Sequence, residues 1–450
     1  MRYQIRSIFQ GKEVEIRQTN RAVSPYGGLV VFFEYLNQIK YREAIERWMP
    51  FVLKSPNAIQ PSETFTSFIV AVLTGARRFA QTGLIRLDAA LQKVMGIERF
   101  PGDDTIRNFF KRFSQGENQR FYEPLWRWQL ERIVPRAEGY SLDLDSTVFE
   151  RYGKQQGARK GHNPRKHGRP SHHPLLAVLA EVHWVLHGWL RSGNCASGRG
   201  AVEFLKEALA LLGGQLSVRL VRADSGFFDD ELLSFLEGEQ LPYIVVARMT
   251  RWLKRQAAQV REWRPLEAQY AVGQFELELH GWKGKRHFVV VREQEREDKS
   301  SLGRKLLEVP GYTFRVFVTN LEWPEEQVWR TYNLRADMEN RIAELKYDLA
   351  ADDFCLNEFF ATEATFKAIL FLFNLLSEFQ RVLGLKKYQQ PSTLRTHLFL
   401  CGAILGRAGH RSVIFLSKSW GGLEQRIPWL DKVLYYVFPT SPKLEMTPVS

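Results

Sequence analysis

The order of strand-like and helix-like patterns between residues 140 and 250 constrains the fold of this chain more than any other feature. Three apolar runs of strand length come first, and a helix, a strand, a second helix and a fifth strand follow. Strands joined by short turns pair antiparallel, whereas strands joined through a helix pair parallel. The pattern therefore predicts a mixed α/β sheet with strands at Ser141–Leu144, Pro174–His183, Trp184–Arg191, Leu216–Ala223 and Tyr243–Ala247. The two predicted helices are Ala201–Leu212 and Asp229–Leu236.

The flanking segments predict an insertion and two terminal regions. Two alternating runs, Phe275–His280 and Lys285–Arg292, surround a Gly-Trp-Lys-Gly turn and predict a β-hairpin. A strand pattern at Phe314–Thr319 then indicates that the α/β core resumes. We therefore expect a helical N-terminal region, an α/β core in two parts, a β-rich insertion between those parts and a helical C-terminal region, with bounds at 1–135, 136–250, 251–312, 313–385 and 386–450.

The N-terminal region admits two interpretations. Basic residues interleave with apolar positions at helical spacing, as at Arg107, Lys111 and Arg112, which predicts a small helical DNA-binding unit. A helical dimerisation or packing unit fits the same pattern, because no single helix-turn-helix signature is present.

Acidic residues stand at the ends of two predicted strands. Asp143 and Asp145 are two residues apart and so share one face of the first strand, while Asp224 follows the fourth strand and precedes a Ser-Gly turn. Ligands of open α/β sheets bind at the carboxyl ends of the strands. Aspartate also caps helices and starts turns, so both a cap and a ligand fit Asp224.

A third acid lies in a helical pattern near the end of the core. Tyr332, Arg335, Glu339 and Lys346 fall at offsets of zero, three, seven and fourteen, so a single α-helix would carry them on one side. A solvated face with Arg335 and Glu339 as an i,i+4 ion pair fits this spacing too. Glu344 would point away from that side.

Asp145, Asp224 and Glu339 together predict a metal site with catalytic function. Carboxylate oxygens suit Mg²⁺ or Mn²⁺, and three carboxylates can hold two ions about 4 Å apart across a phosphodiester. One ion would activate the attacking water or 3′-hydroxyl, and the other would stabilise the leaving oxygen. Arg335 and Lys346 would then hold DNA phosphates.

The charge of the chain points to an acidic partner. The net charge is +13, and nucleic acid is the commonest partner of so basic a protein. Residues 151–173 follow the first acid and contain no acidic residue. Either a loop that tracks DNA phosphates or a solvated surface loop fits this stretch. The first interpretation predicts DNA contacts by Arg159, Lys160, Arg165, Lys166 and Arg169. The histidines of this stretch fit no common zinc spacing.

Other classes of function lack their sequence signals. No GxxxxGK[ST] loop indicates a nucleotide cofactor, and no GxSxG motif indicates a serine hydrolase. The apolar run at residues 368–376 includes Asn374 and is shorter than a membrane span, so a buried helix and no membrane partner are expected. A glycosidase with paired carboxylates does not fit the basic charge. Three widely separated cysteines and the absence of an apolar leader indicate the cytoplasm.

The motifs around the three acids resemble those of the DDE transposases of bacterial insertion sequences, in the IS4-like group and within it the IS1380 type. The helix pattern of Tyr, two residues, Arg, three residues, Glu, six residues and Lys matches at every position. Asp145-Ser146-Thr147 matches the first-acid motif, and Asp224 matches the second acid. Residues 157–177 also resemble the IS1380 type. The specific motifs cover residues 140–385.

The resemblance implies an RNase H-like core with a β-rich insertion before the Glu339 helix. It implies Asp145, Asp224 and Glu339 as metal ligands for two Mg²⁺ or Mn²⁺ ions, with Asp143 as an alternative first acid. Tyr332, Arg335 and Lys346 would contact double-stranded DNA at the transposon end. In IS4-like enzymes that cut through a DNA hairpin, aromatic residues of the insertion stabilise a flipped base. If this chain cuts in that way, the candidates are Trp282 at the β-hairpin tip, Trp252 and Trp263.

The activity that the resemblance implies is excision at terminal inverted repeats and transfer of the 3′ ends into target DNA. A homodimer assembled on two ends, acting at the bacterial nucleoid, would carry it out. An RNase H-like endonuclease without strand transfer and a non-catalytic DNA-binding protein derived from a transposase are the alternatives.

Overall fold

A large mixed sheet with helices around it confirms the predicted mixed α/β architecture. The computed structural model describes residues 3–55, 57–161, 163, 166–267, 269–294, 312–418 and 423–438. The chain divides into two units. We call residues 47–50, 107–378 and 437–450 the sheet unit, and residues 1–46, 51–106 and 379–436 the terminal unit. The five regions expected from the sequence remain predictions.

Within the described residues, nine strands form the large sheet of the sheet unit, in the order β6-β7-β8-β9-β5-β4-β1-β2-β3. β1, β4 and β5 are parallel neighbours, and every other pair in the sheet is antiparallel. We call the edge at which β1, β4 and β5 end the carboxyl edge. The strands are β1 Tyr140–Ser146, β2 Leu175–Leu179, β3 Trp184–Trp189, β4 Val218–Ala223, β5 Tyr243–Val246, β6 Arg264–Glu267, β7 Tyr270–Glu278, β8 Lys285–Gln294 and β9 Tyr312–Thr319.

Helices cross between the parallel strands as the sequence pattern predicts. Apolar residues at three- and four-residue spacing bury one side of the helix after β3, which stops at Gly213 in the left-handed region, at φ +56°. Asp229 caps the helix after β4 by accepting a hydrogen bond from the amide of Glu231. The helices of this unit are α1 Gln115–Leu130, α2 Ala201–Leu212, α3 Asp230–Gly238, α4 Arg251–Gln259, α5 Glu325–Asn333, α6 Ala336–Ala343 and α7 Phe359–Val382, whose last residues belong to the terminal unit.

The predicted hairpin of the insertion is present as β7 and β8. These strands continue the sheet, because β8 pairs with β9 and β9 pairs with β5. A buried apolar cluster joins this half of the sheet to α5, and it includes Ile244, Val289, Phe317, Val328 and Tyr332. Burial of these side chains fixes α5 against the sheet, ahead of the segment that carries Glu339.

The prediction of a single helix from Tyr332 to Lys346 is wrong. α5 ends at Asn333, the amide of Arg335 bonds to the carbonyl of Tyr332 in a tight turn, and α6 begins at Ala336. A π-helical turn follows at Glu344–Asp348. Offsets counted along one straight helix therefore do not describe how these side chains are arranged.

α7 is long and apolar enough to cross a membrane, but 89% of its apolar window is buried inside the protein. Asn374 on this helix accepts a hydrogen bond from the amide of Val185 and donates one to its carbonyl. The helix is therefore a core helix packed beside β3, as the sequence predicts.

The terminal unit contains β-structure that the sequence analysis did not predict. Its helices include Leu29–Gln38, Pro61–Leu73, Phe79–Thr82 and Ala89–Met95. A hairpin of Tyr3–Arg6 and Glu13–Ile16 precedes them. The C-terminal region is not wholly helical, because Ala403–Ala408 pairs with both Arg411–Leu416 and Val23–Ser24, ahead of a helix at Leu423–Leu434. A short helix at Pro391–Leu394 also belongs to the terminal unit, and two further helices, Tyr41–Trp48 and Asp103–Phe110, cross the boundary between the units.

Candidate active site

Asp145 lies near the end of β1, and only 8% of its surface is exposed. Burial raises the pKa of this carboxyl to about 6; Arg335 opposes the rise, and the charges of Asp224 and Glu339 add to it. Asp145 is therefore close enough to each of the other two predicted acids to feel its charge. A group with such a perturbed pKa at the carboxyl edge marks a candidate functional site.

The structure gives Asp143 a different environment from Asp145, although both lie on β1. Both carboxylate oxygens of Asp143 accept hydrogen bonds from Arg222, at 2.6 and 2.8 Å, and both side chains are buried. Arg222 also donates to the carbonyl of Thr331 on α5, at 2.7 Å. Asp143 thus joins β1 to β4 and α5, which leaves Asp145 as the better candidate for the first acid.

Asp224 follows β4 directly and is half-buried. Its Oδ1 accepts a hydrogen bond from the amide of Gly226 at 2.9 Å, so the residue caps the short turn Ser225–Phe227. In the described chain its Oδ2 has no hydrogen-bond or ion-pair partner. The capping function and a ligand function are therefore compatible at Asp224, since one oxygen serves each.

Arg335 links the α5–α6 turn to β1. Its Nη2 lies 3.0 Å from Oδ2 of Asp145 and donates to the carbonyl of Leu144 at 2.9 Å. The residue is 5% exposed, so the pair is shielded from water. Among the described residues, its Nε is a buried donor without an acceptor. The ion pair of Arg335 with Glu339, which the spacing alone allows, is not formed.

Tyr332 packs into the core beneath the site. Its ring lies 4.9 Å from that of Phe317, and burial raises the pKa of its phenol. Asp224 and Asp145 add to that rise, while Arg335 opposes it. The charges of the site thus reach the phenol although the ring is buried.

Glu339 lies on α6 and is exposed. Its charge is felt by Asp145, but the described residues contain no group of three His, Cys, Asp or Glu side chains arranged to hold one metal ion. The charge of Glu339 therefore reaches Asp145, but a three-ligand cluster is not formed among the described residues.

Lys346 lies in the π-helical turn and is half-buried. Its Nζ donates to the carbonyl of Val148, which follows β1, at 3.0 Å, and lies 4.0 Å from a carboxylate oxygen of Asp352. The side chain thus reaches the segment that leaves the carboxyl edge after Asp145. A role in DNA binding remains a prediction for Lys346, as for Tyr332 and Arg335.

The basic segment after β1 contains more structure than a flexible loop. Phe149–Glu150, Arg159–Lys160 and Pro170–His172 form a small antiparallel sheet. Arg151 is buried, and its Nε donates to Nδ1 of His172 at 2.9 Å.

The candidate DNA contacts of this segment differ in their partners. Arg159 and Lys160 are exposed and have no ion-pair partner in the described chain. Lys166 is paired with Glu150 at 2.9 Å, and the guanidinium of Arg169 lies 4.7 Å from the ring centre of Tyr152. Arg165 falls outside the described residues.

Trp282 at the β7–β8 turn packs on Phe228, with 4.7 Å between the ring centres, and the Arg286 guanidinium lies over its ring. Among the described contacts none joins Trp282 to the three acids. Trp263 lies beneath the guanidinium of Arg292, whereas Trp252 on α4 is 41% exposed. Base-stacking functions for these three residues remain predictions.

The sequence analysis missed Arg222 and Ser197. Arg222 pairs with Asp143 from 79 positions away, and the hydroxyl of Ser197 lies 2.8 Å from that of Ser146 beside Asp145. A lone arginine inside an apolar strand pattern is a signal that could have identified Arg222, because a buried guanidinium needs an anion. No local signal identifies Ser197.

Comparison with family models by sequence identifies one family. The sequence model for the family described as transposase DDE domain group 1 matches residues 6–425. No curated protein matches the chain. Among solved structures, a piggyBac transposase synaptic complex with hairpin DNA is similar, at 12% sequence identity and a TM-score of 0.47, over 85% of this chain and 82% of that chain.

Proposed function

Because the chain belongs to the family of transposase DDE domain group 1, we propose that it cleaves DNA at the terminal inverted repeats of an insertion sequence and joins the 3′ ends to target DNA. The observation that carries this proposal is the buried carboxylate of Asp145, whose pKa Asp224 and Glu339 both raise. A bound cation would offset the repulsion that Asp224 and Glu339 exert on the buried carboxylate of Asp145.

The donor set fits divalent ions, which DDE transposases generally use. Asp145, Asp224 and Glu339 would hold Mg²⁺ or Mn²⁺, because all three offer hard oxygen ligands. When bound, such ions supply Lewis acidity for the attacking hydroxyl and the leaving oxygen. We propose two ions per site.

The residues around the acids would bind and orient the DNA. Arg335 fixes Asp145 by its ion pair, and we propose that its guanidinium also binds a phosphate of the transposon end. Tyr332 would also contact the DNA end, and Lys346 would neutralise a phosphate beside the segment that follows β1. Arg159 and Lys160, with Arg165, Lys166 and Arg169, would hold the backbone further along.

Finer features of the resemblance also belong to this proposal. We infer an RNase H-like core in β1–β5, supported by three antiparallel strands followed by two parallel strands reached through helices. Membership of the IS1380 type, a homodimer on two DNA ends and action at the bacterial nucleoid are inferred from the motifs of the sequence.

An assay with labelled inverted-repeat DNA and a target plasmid tests the proposal. The DNA that flanks the reading frame would supply the repeats as the substrate. With Mg²⁺ or Mn²⁺ we expect cleavage at the repeat ends and joined plasmid products. Cleavage without joined products under either ion would instead identify an RNase H-like endonuclease. Binding of the repeats without cleavage would identify a non-catalytic DNA-binding protein.

A further inference from the structure

Helix α4 starts at the same edge of the sheet as the three acids. β5 is parallel to β4, with Val245 opposite Ala223, and β4 is parallel to β1, with Ala223 opposite Leu144. Asp145 comes one residue after Leu144, and Asp224 comes one residue after Ala223. Arg248 comes three residues after Val245. With about 4.8 Å between strands and 3.3 Å per residue, Arg248 lies on the order of 10 Å from Asp224.

The segment that leaves β5 is strongly and uniformly basic. No acidic residue occurs between Glu239 and Glu262, and the cations between them are Arg248, Arg251, Lys254, Arg255 and Arg261. Arg248, Arg251, Arg255 and Arg261 are exposed, and Lys254 is half-buried. Within the described chain none of the five has an ion-pair partner.

The local structure of α4 places this charge on one side. Thr250 caps the helix by accepting from the amide of Leu253, and Leu253 and Ala257 are the buried positions. Arg251 and Arg255, four residues apart, therefore share the solvent side. Cations in the first turn oppose the helix dipole, and α4 has no acidic residue there to compensate. The arrangement thus disfavours the isolated helix and favours a bound anion.

We propose that Arg248, Arg251, Lys254 and Arg255 form a second DNA-backbone surface, which binds duplex DNA beside the bond held at Asp145 and Asp224. The proposal rests on the transposase function proposed above. Charge complementarity identifies the partner, because a duplex carries one phosphate per strand about every 3.4 Å of axis. DNA with a phosphate at the acids therefore has neighbouring phosphates within reach of α4. The surface carries no base-reading pattern, so it contributes affinity and orientation without sequence preference.

The test measures DNA binding by the double variant Arg251→Gln/Arg255→Gln, with fluorescence anisotropy as the readout. The probe is a labelled duplex of about 30 base pairs without inverted repeats, titrated at several KCl concentrations. Loss of two phosphate contacts should weaken binding about 10-fold or more at low salt and reduce the slope of log K against log salt by about two. Unchanged melting temperature would show that the fold is intact.

The matched control is Arg136→Gln/Lys285→Gln. Arg136 precedes the start of β1 and Lys285 opens β8 on the side where β5 begins, so both lie away from the carboxyl edge. Each is already paired with a glutamate. Removing the same charge there should leave the salt slope near that of the unmodified protein.

Equal binding by the two double variants would overturn the proposal. The proposal would also be overturned if Arg251→Gln/Arg255→Gln bound the DNA normally and lost only binding to vesicles of anionic lipid. That result would assign α4 to a membrane surface. The readout is independent of catalysis. A failure to cut inverted repeats would refute the proposed function and leave the binding result standing, whereas normal cutting with unaltered DNA binding would refute the α4 surface alone.

Discussion

At the scale of single residues, the pair of Asp145 and Arg335 organises the candidate site. The placement of two acids at strand ends and of the third in a helix could be predicted from sequence, because each stands in a recognisable motif. The partner of Asp145 could not, since the spacing of Arg335 and Glu339 favours a local pair. Arg335 turns instead to Leu144 and Asp145, which are distant in sequence and buried. Local patterns do not encode such contacts.

Replacing Arg335 with Ala should destabilise the protein by about 3 kcal/mol, because the substitution leaves a buried carboxylate without its counter-charge. Adding Asp145→Asn should restore part of that loss, since a neutral amide needs no cation. Urea denaturation of both single variants and the double variant measures the coupling. Arg330→Ala, which breaks an exposed pair with Glu326, should cost less than about 1 kcal/mol. Additive losses at Arg335 and Asp145 would argue against the pair.

His172 should make the protein sensitive to acid. Burial and, to a lesser extent, the charge of Arg151 lower its pKa to about 4. Between pH 6.5 and 4 the unfolded chain binds more protons at this histidine than the folded chain, so its contribution to the free energy of unfolding falls as the pH falls. The folded ring is neutral, with Nδ1 accepting from Arg151 and Nε2 donating to the carbonyl of Gln156.

Between pH 7 and pH 4.5 the unmodified protein should lose about 1–3 kcal/mol more of its free energy of unfolding than His172→Gln loses. Denaturation at the two pH values measures it, and the variant should lose less stability on acidification than the unmodified protein. His280→Gln changes an exposed histidine of the same unit and should preserve the original pH dependence. An identical pH dependence for His172→Gln would show that another group causes the acid sensitivity.

At the scale of elements, strands were predicted better than breaks in helices. Alternation and apolar runs located β1 to β5 within a few residues, because burial of one or both faces leaves its period in the sequence. The break at Leu334 and Arg335 was missed, because it depends on where α5 must end and on what Arg335 must reach. The extension of the sheet by β7 and β8 was also not evident, since a hairpin pattern does not name its partner strand.

Close packing of α7 on β3 gives a prediction at this scale. A Cβ added at Gly188 would meet Cδ1 of Leu370 at 2.4 Å, so Gly188→Ala should force this buried side chain to repack and cost about 1–3 kcal/mol. Gly238 at the end of α3 has no atom within 4 Å of its added Cβ, and Gly238→Ala should be neutral or slightly stabilising. Thermal denaturation of the two variants compares them, and equal melting temperatures would contradict this account of the packing.

At the scale of the whole molecule, one sheet edge collects the chemistry. Asp145, Asp224, the basic segment after β1 and the cations of α4 lie at the ends of β1, β4 and β5 or in the segments that follow them, and Arg335 of the α5–α6 turn reaches this edge through its contact with Asp145. Parallel pairing of β1, β4 and β5 accounts for this, since strands that run in one direction end together. The net charge of +13 for the whole chain also favours an acidic partner such as DNA.

The central claim is that Glu339 acts with Asp145 and Asp224 in cutting DNA. The most direct measurement compares binding and cleavage of inverted-repeat DNA by the unmodified protein, by Glu339→Gln and by Glu326→Gln, an exposed acid on α5, each with Mg²⁺ or Mn²⁺. We predict that Glu339→Gln binds the repeats normally and cleaves them at least about 100-fold more slowly, because it lacks one carboxylate ligand. Glu326→Gln should cleave at the original rate. Undiminished cleavage by Glu339→Gln would contradict the assignment.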